Sequence, residues 1–196
     1  MLFRSHTGRL VKTLLFIGGT AFFGRLAVQQ LARSRQYHVT VLTRGHHLPA
    51  EFNAGLSLIR CDRTDPAALQ TALHGKQFDV VVDNIARNGA DVRALVAALR
   101  GRIGHYLLCS TAMVYSEWHS SHAWSETEAP LQPVPGQMSY ANDKREAERQ
   151  LLELGTVPYT IYRPTVVQGP ADPVGRTRYF VDRSEEHTSE LQSHLN

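Results

Sequence analysis

Tyr140-Ala141-Asn142-Asp143-Lys144 places a phenol and a primary amine four residues apart, the spacing that sets two side chains on one face of a helix. An ammonium at Lys144 lowers the cost of a Tyr140 phenolate. The phenol, whose ordinary pKa is about 10, could then exchange a proton with a bound hydroxyl near neutral pH. The same pair on an isolated helix is ordinary surface decoration, so its meaning depends on what surrounds it. Upstream, Ser110-Thr111-Ala112-Met113-Val114-Tyr115 follows an apolar run and puts two hydroxyls where a strand should end. Thr111 is the first candidate to orient a substrate oxygen and Ser110 the second. Both could instead bond loop backbone, as such residues commonly do at strand ends.

A second kind of chemistry is written near the start of the chain. Gly18-Gly19-Thr20-Ala21-Phe22-Phe23-Gly24 lies between a strand pattern and a helical one. Glycines there permit a tight turn and close helix packing, while free N–H groups and the helix dipole attract a pyrophosphate. The expected cofactor-binding set is Gly18, Gly19, Thr20, Phe22, Phe23 and Gly24. Ala21 takes the place of the central glycine of the usual spacing, and its methyl narrows the approach to the phosphates. A glycine-rich turn with no ligand would read the same way. After the second strand pattern comes Thr43-Arg44-Gly45, where an acid would normally bond the adenosine ribose. Arg44 cannot accept from a hydroxyl, but a guanidinium suits a 2′-phosphate, which favours NADP over NAD, with Arg25 as a helper. The alternative is a solvated loop arginine. Asp62 could accept from the adenine amino group or cap the turn that follows it. Lys144 could also hold the nicotinamide ribose.

These residues need a scaffold, and the chain alternates apolar runs with helical patterns as a parallel α/β sheet requires. Strands are expected over Thr13–Ile17, His38–Thr43, Leu56–Cys61, Phe78–Val82, His105–Cys109 and Tyr159–Arg163. Helices are expected from the glycine turn to about Ser34, from Asp65-Pro66, over Asp91–Leu99 closed by Arg100-Gly101, and over Tyr140–Leu154. Ser116 to Gly136 reads as a long loop just before the Tyr140 helix. The fold class is therefore α/β, a Rossmann-like doubly wound sheet in strand order 3-2-1-4-5-6.

Composition removes other classes. The 196 residues are 42% hydrophobic and 20% charged, which excludes disorder and collagen, and two cysteines at the ends of apolar runs suggest buried thiols. A net charge of +3 is too small and dispersed to imply nucleic acid. The absence of a spanning apolar run or a leader pattern sets the expectation of a cytoplasmic protein with no membrane partner. His46-His47 and His119-Ser120-Ser121-His122 lack a third ligand, so no metal is expected, and no Gly-x-Ser-x-Gly elbow supports a hydrolase.

Both ends read as foreign. Arg183 to Ser193, beginning Arg183-Ser184-Glu185-Glu186-His187-Thr188, resembles the translation of a sequencing-library adapter, and Leu2-Phe3-Arg4-Ser5 resembles the end of its partner. The expected domain is a truncated NAD(P)-binding unit over residues 6–182, with residues 1–5 and 183–196 non-native.

The chain resembles the extended short-chain dehydrogenase/reductases of the NAD-dependent epimerase/dehydratase family. The resemblance rests on the glycine turn, Val39-Thr40-Val41-Leu42-Thr43-Arg44-Gly45, Cys61-Asp62-Arg63-Thr64-Asp65 and Arg163-Pro164-Thr165-Val166-Val167-Gln168-Gly169-Pro170. Gly169-Pro170-Ala171-Asp172-Pro173, Arg176 and Tyr179-Phe180 are similar to a bacterial subgroup of it. It implies Tyr140 as acid/base, Lys144 as its partner, Thr111 as the third catalytic member, and cofactor contacts at Ala86 and Ser110. The strand exit Asp83-Asn84-Ile85-Ala86 departs from the glycine or alanine pair of many relatives. The implied partner is a small hydroxylated substrate of nucleotide-sugar type, bound by a lobe built mostly after Gly169. A homodimer through the Asp91–Leu99 and Tyr140–Leu154 helices is implied as well. The rival is a non-catalytic module, since the fold also serves redox sensors and chloroplast stem-loop RNA-binding proteins.

Overall fold

Apolar side chains alternate along the first strand, and each set meets a different layer. In the computed structural model, which describes residues 3–4, 10–45, 49–53, 55–115, 123–169, 171–176, 178 and 181–184, parallel strands alternate with α-helices except at one step, where a strand follows a strand across a 3-10 turn. They are β1 (Leu10–Ile17), α1 (Phe22–Arg33), β2 (Tyr37–Thr43), β3 (Ser57–Arg60), α2 (Pro66–Ala72), β4 (Phe78–Asp83), α3 (Gly89–Leu99), β5 (Ile103–Cys109), α4 (Ser139–Leu154) and β6 (Tyr159–Tyr162). Leu15 and Ile17 of β1 face Leu69 of α2, Leu95 and Leu99 of α3, and Leu151 of α4. Leu14 and Phe16 face the other way, onto Val28 of α1 and Phe52. Both faces are thus covered, the condition under which parallel strands read as unbroken apolar runs.

The strands pair in parallel in the order β3-β2-β1-β4-β5-β6, with Phe16 opposite Val41 of β2 and Val82 of β4. The doubly wound order is the expected one. A two-residue strand, Phe3–Arg4, adds antiparallel pairs to Val11 and Leu10 at the start of β1. The order reverses between β1 and β4, and such a reversal opens a crevice at the carboxyl ends of the strands. The glycine turn, Arg44, Asp62, Asn84, Ser110 and Pro164 all follow strand ends at that edge.

Local chemistry sets the boundaries. Asp65 Oδ1 accepts from the backbone of Ala67 and Ala68, both at 3.0 Å, with Pro66 at the first helical position. α3 begins at Gly89 rather than Asp91 because Asn88 caps it, its Oδ1 accepting from Asp91 N at 3.2 Å. It ends where Arg100 turns left-handed at φ 45°. β4 runs one residue beyond the apolar run to include the buried Asp83. The expected long loop contains a 3-10 turn at Glu126–Glu128. The readings made on residues 1–2, His46-His47, His119, His122, Pro170, Tyr179, Phe180 and 185–196 lie outside the described residues.

Candidate active site

The glycine turn is shaped by what its side chains would have to occupy. Gly18 has φ +85° and lies under Ile85, and a methyl on Gly24 would enter the Gly18 carbonyl and come within 2.9 Å of Asn84 Nδ2. Ala21 is extended at φ −139°, a conformation open to any residue, so the central position of this turn does not need glycine. The left-handed step falls on Phe22, at φ 48°, a conformation that costs a non-glycine residue about 1–2 kcal/mol. α1 has no side-chain cap and no acid in its first turn, which leaves its leading N–H groups suited to an anion.

Two cavities meet at this turn. The first, about 450 Å³, is lined by Gly18, Thr20, Ala21, Arg44, Asp62 and Arg87, so turn, arginine and acid come together as expected. Arg44 is exposed at its rim. Asp62 takes the capping role, Oδ1 accepting from Thr64 N at 2.9 Å and Thr64 Oγ1 at 2.7 Å, while the residue still lines the cavity. Arg25 is not among the lining residues.

The second cavity, about 570 Å³, brings Phe22 and Phe23 to Ser110, Thr111, Tyr140 and Lys144, with Val166 and Val174 on the far wall. Thr111 Oγ1 accepts from Met113 N at 3.3 Å at the head of a 3-10 turn. The Ser110 hydroxyl is buried with no hydrogen-bond partner, an orphaned donor and acceptor on the wall of this cavity. Lys144 is 4% exposed and donates from Nζ to Ala86 O at 2.6 Å and Cys109 O at 2.8 Å. Burial lowers its pKa. Burial, reinforced by Cys109, raises that of Tyr140 against the opposing charge of Arg87. Burial thus favours the neutral phenol, while the Lys144 ammonium is directed to main-chain carbonyls. Ala86 is fully buried and lines neither cavity; its link to the site is its carbonyl.

Several polar residues that shape the site escaped the sequence reading. Asp83 is fully buried and pairs with Arg63 at 2.5 Å and with Tyr106 OH at 2.7 Å. Burial opposes the Arg63 charge, yet Asp83 raises its pKa overall. Tyr162 donates to Asn84 Oδ1 at 3.0 Å. Arg145, completely buried at the start of α4, donates to Val114 O at 2.8 Å, to Asn142 Oδ1 at 2.6 Å and to Gln137 Oε1. Asn142 in turn bonds both polar backbone groups of Val134, so the loop before α4 is tied to the helix that carries Tyr140. Arg63 and Asp83 lie in stretches that the sequence singles out, Cys61–Asp65 and Asp83–Ala86, but no local pattern marks them, Arg145 or Tyr162 as paired. Among the described residues no group of three His, Cys, Asp or Glu could hold a metal ion, and no helix is long and apolar enough to cross a membrane.

Residues 18–192 match the model of a family described as NAD(P)H-binding, a span that holds the glycine turn and both cavities. The chain belongs to this NAD(P)H-binding family. Within it, the likeness to extended short-chain dehydrogenase/reductases of epimerase/dehydratase type holds in the solved structures as well. A candidate epimerase from Burkholderia cenocepacia J2315 is 29% identical at a TM-score of 0.67, covering 81% of this chain and 55% of its own. The Thermus thermophilus UDP-glucose 4-epimerase, solved with NAD, shares the fold at 21% identity and a TM-score of 0.64, over 81% of this chain and 59% of that one. Among curated proteins, the chloroplast stem-loop binding protein of 41 kDa b from Arabidopsis thaliana is 29% identical over 172 residues, 81% of this chain and 43% of the relative. The NAD(P)H-binding chain thus spans about half the length of these three relatives.

Proposed function

We propose that this NAD(P)-binding protein is the cofactor-binding and catalytic part of an oxidoreductase or epimerase that acts on a hydroxylated, nucleotide-sugar-like substrate. The observation that carries the reading is the meeting of Thr111, Tyr140 and Lys144 in one cavity whose other wall is the glycine turn. When bound, the nicotinamide supplies or accepts a hydride at a carbinol or carbonyl carbon. Around that step Thr111 orients the substrate oxygen and Tyr140 exchanges a proton with it. Lys144 holds the nicotinamide ribose and keeps a positive charge beside the phenol, and the Ser110 hydroxyl takes a polar group of the ligand. Gly18, Gly19, Thr20 and the first turn of α1 receive the pyrophosphate, Asp62 lies beside the adenine, and Arg44 favours NADP through its 2′-phosphate.

The test is a fluorescence titration with NADPH and NADH, followed by turnover of Tyr140→Phe. Saturable binding, with turnover lost by about 10²–10⁴-fold in the variant and affinity kept, is the expected result. Equal activity of the variant overturns it. A second reading, a non-catalytic nucleotide-binding module, is favoured by the stem-loop binding relative. It predicts saturable binding of an RNA stem-loop that Tyr140→Phe leaves unchanged.

A further inference from the structure

Lys144 is aimed by two main-chain carbonyls, Cys109 O at the end of β5 and Ala86 O in a loop, not by its helix neighbours. Its ammonium donates to Ala86 O at 2.6 Å, in the segment between β4 and α3, and the Ala86 amide donates back along the chain to Asp83 Oδ1 at 2.9 Å. Ile85 N reaches the same oxygen at 3.4 Å. At the far end of this loop, Arg87 N donates to Asp91 Oδ2 at 2.7 Å. The two carboxylates that hold the loop are bridged by one guanidinium. Arg63 pairs with Asp83 at 2.5 Å, donates to Asp91 O at 3.1 Å, and brings Nε to 3.8 Å from Asp91 Oδ1. Tyr106 closes the second oxygen of Asp83 at 2.7 Å. Asp83 and Tyr106 are fully buried and Arg63 is 7% exposed. A core that needed only packing would place apolar side chains here, because a buried ion pair adds little stability over a well-packed hydrophobic pair.

We propose that Asp83 and Arg63 are positioning residues for Lys144, fixing the β4–α3 loop so that the Ala86 carbonyl stays where it receives the ammonium. This role rests on Lys144 acting beside Tyr140 and the cofactor, as proposed above. Removing the Asp83 carboxylate leaves the Ile85 and Ala86 amides without their acceptor, the loop opens locally, and Lys144 keeps Cys109 O but loses the fixed Ala86 carbonyl.

The chain has three lysines, Lys12, Lys76 and Lys144, of which the first two are exposed, so amine labelling read by mass spectrometry carries its own references. Pulse acetylation of the full chain should label Lys144 at least about tenfold more slowly than Lys12 and Lys76. Asp83→Ala, which removes the acceptor of both loop amides, should raise the Lys144 rate by about fivefold or more, with the other two unchanged. Because Asp83→Ala leaves Arg63 buried without its partner and could unfold the chain, the double change Arg63→Met with Asp83→Leu serves as the second variant. It replaces the pair by apolar volume, yet still removes the acceptor of the Ala86 amide. Phe52→Leu, a core change on the opposite face of the sheet, should leave Lys144 protected. Protection of Lys144 in a folded double variant, or equal loss of protection in Phe52→Leu, overturns the proposal. Unchanged NADPH and NADH affinity in Lys144→Met, with the labelling result standing, would overturn the catalytic reading of Lys144 and leave the positioning intact.

Discussion

Lys144 Nζ lies 5.8 Å from the centre of the Tyr140 ring, while its hydrogens are directed to the carbonyls of Ala86 and Cys109. Burial raises the Tyr140 pKa, reinforced by Cys109 and opposed by the charge of Arg87. A raised pKa keeps the phenol protonated at neutral pH, ready to give a proton. Reduction of a carbonyl should thus be flat through neutral pH and fall as pH climbs through the raised value, whereas oxidation of a hydroxyl should rise over that same alkaline range. Initial rates in both directions across pH 6 to about 11 check this, and oxidation that plateaus below pH 8 would contradict it.

Arg163, just past β6, meets Glu148 of α4 through two parallel bonds, Nε to Oε1 at 3.0 Å and Nη2 to Oε2 at 2.8 Å, with Glu148 only 1% exposed. The same guanidinium reaches Glu126 O at 2.8 Å and lies 5.4 Å from the Tyr115 ring centre. Removing one partner leaves a buried charge alone, so Glu148→Ala should cost about 3–5 kcal/mol of stability in denaturant unfolding. A loss under about 1 kcal/mol would show that the pair is not holding β6 to the helix.

Arg44 should discriminate between the two cofactors. Hydrogen bonds to a charged group are each worth about 1.5–3 kcal/mol, so Arg44→Ala should weaken NADPH binding by about tenfold or more and leave NADH nearly unchanged. Parallel titrations decide it; equal losses for both would place Arg44 away from the 2′-phosphate.

Tyr106 is fully buried, and burial and the Asp83 charge raise its pKa well above 10. A folded-state pKa above the unfolded one stabilises the protein fully below about pH 10 and loses that contribution as pH rises further. Melting temperature should hold to about pH 9 and then drop steeply, and the drop should be shallower in Tyr106→Phe.

The helix start at Pro66 offers a smaller test. Asp65→Ala removes the acceptor for Ala67 N and Ala68 N and should cost about 1 kcal/mol in thermal or denaturant unfolding without altering cofactor affinity.

Much of this architecture was legible in one dimension because it rests on local rules. Unbroken apolar runs, Asp65-Pro66, Arg100-Gly101 and the glycine turn each settle their own backbone, and the strand order followed from their β/α alternation. The Tyr140 and Lys144 pair was legible for the same reason, as a spacing on one helix. Asp83 was not: at the end of Phe78–Val82 it reads as the first loop residue, and its burial is made tolerable by Arg63, 20 positions earlier, and Tyr106, 23 later. The Asn88 cap was missed because its partner lies three residues on, behind a glycine that reads as loop.

By itself, the sequence determined the fold class, the element boundaries to within a few residues and the list of groups able to do chemistry, because helix and strand periods, caps and turns are short-range properties. The tertiary structure alone decided what those groups meet. It turned the Lys144 ammonium onto main-chain carbonyls, left Ser110 without a partner on a cavity wall, and buried the charges of Arg63 and Asp83 together. The pKa of a buried group, and the partner it bonds, depend on residues brought close by the sheet rather than by the chain.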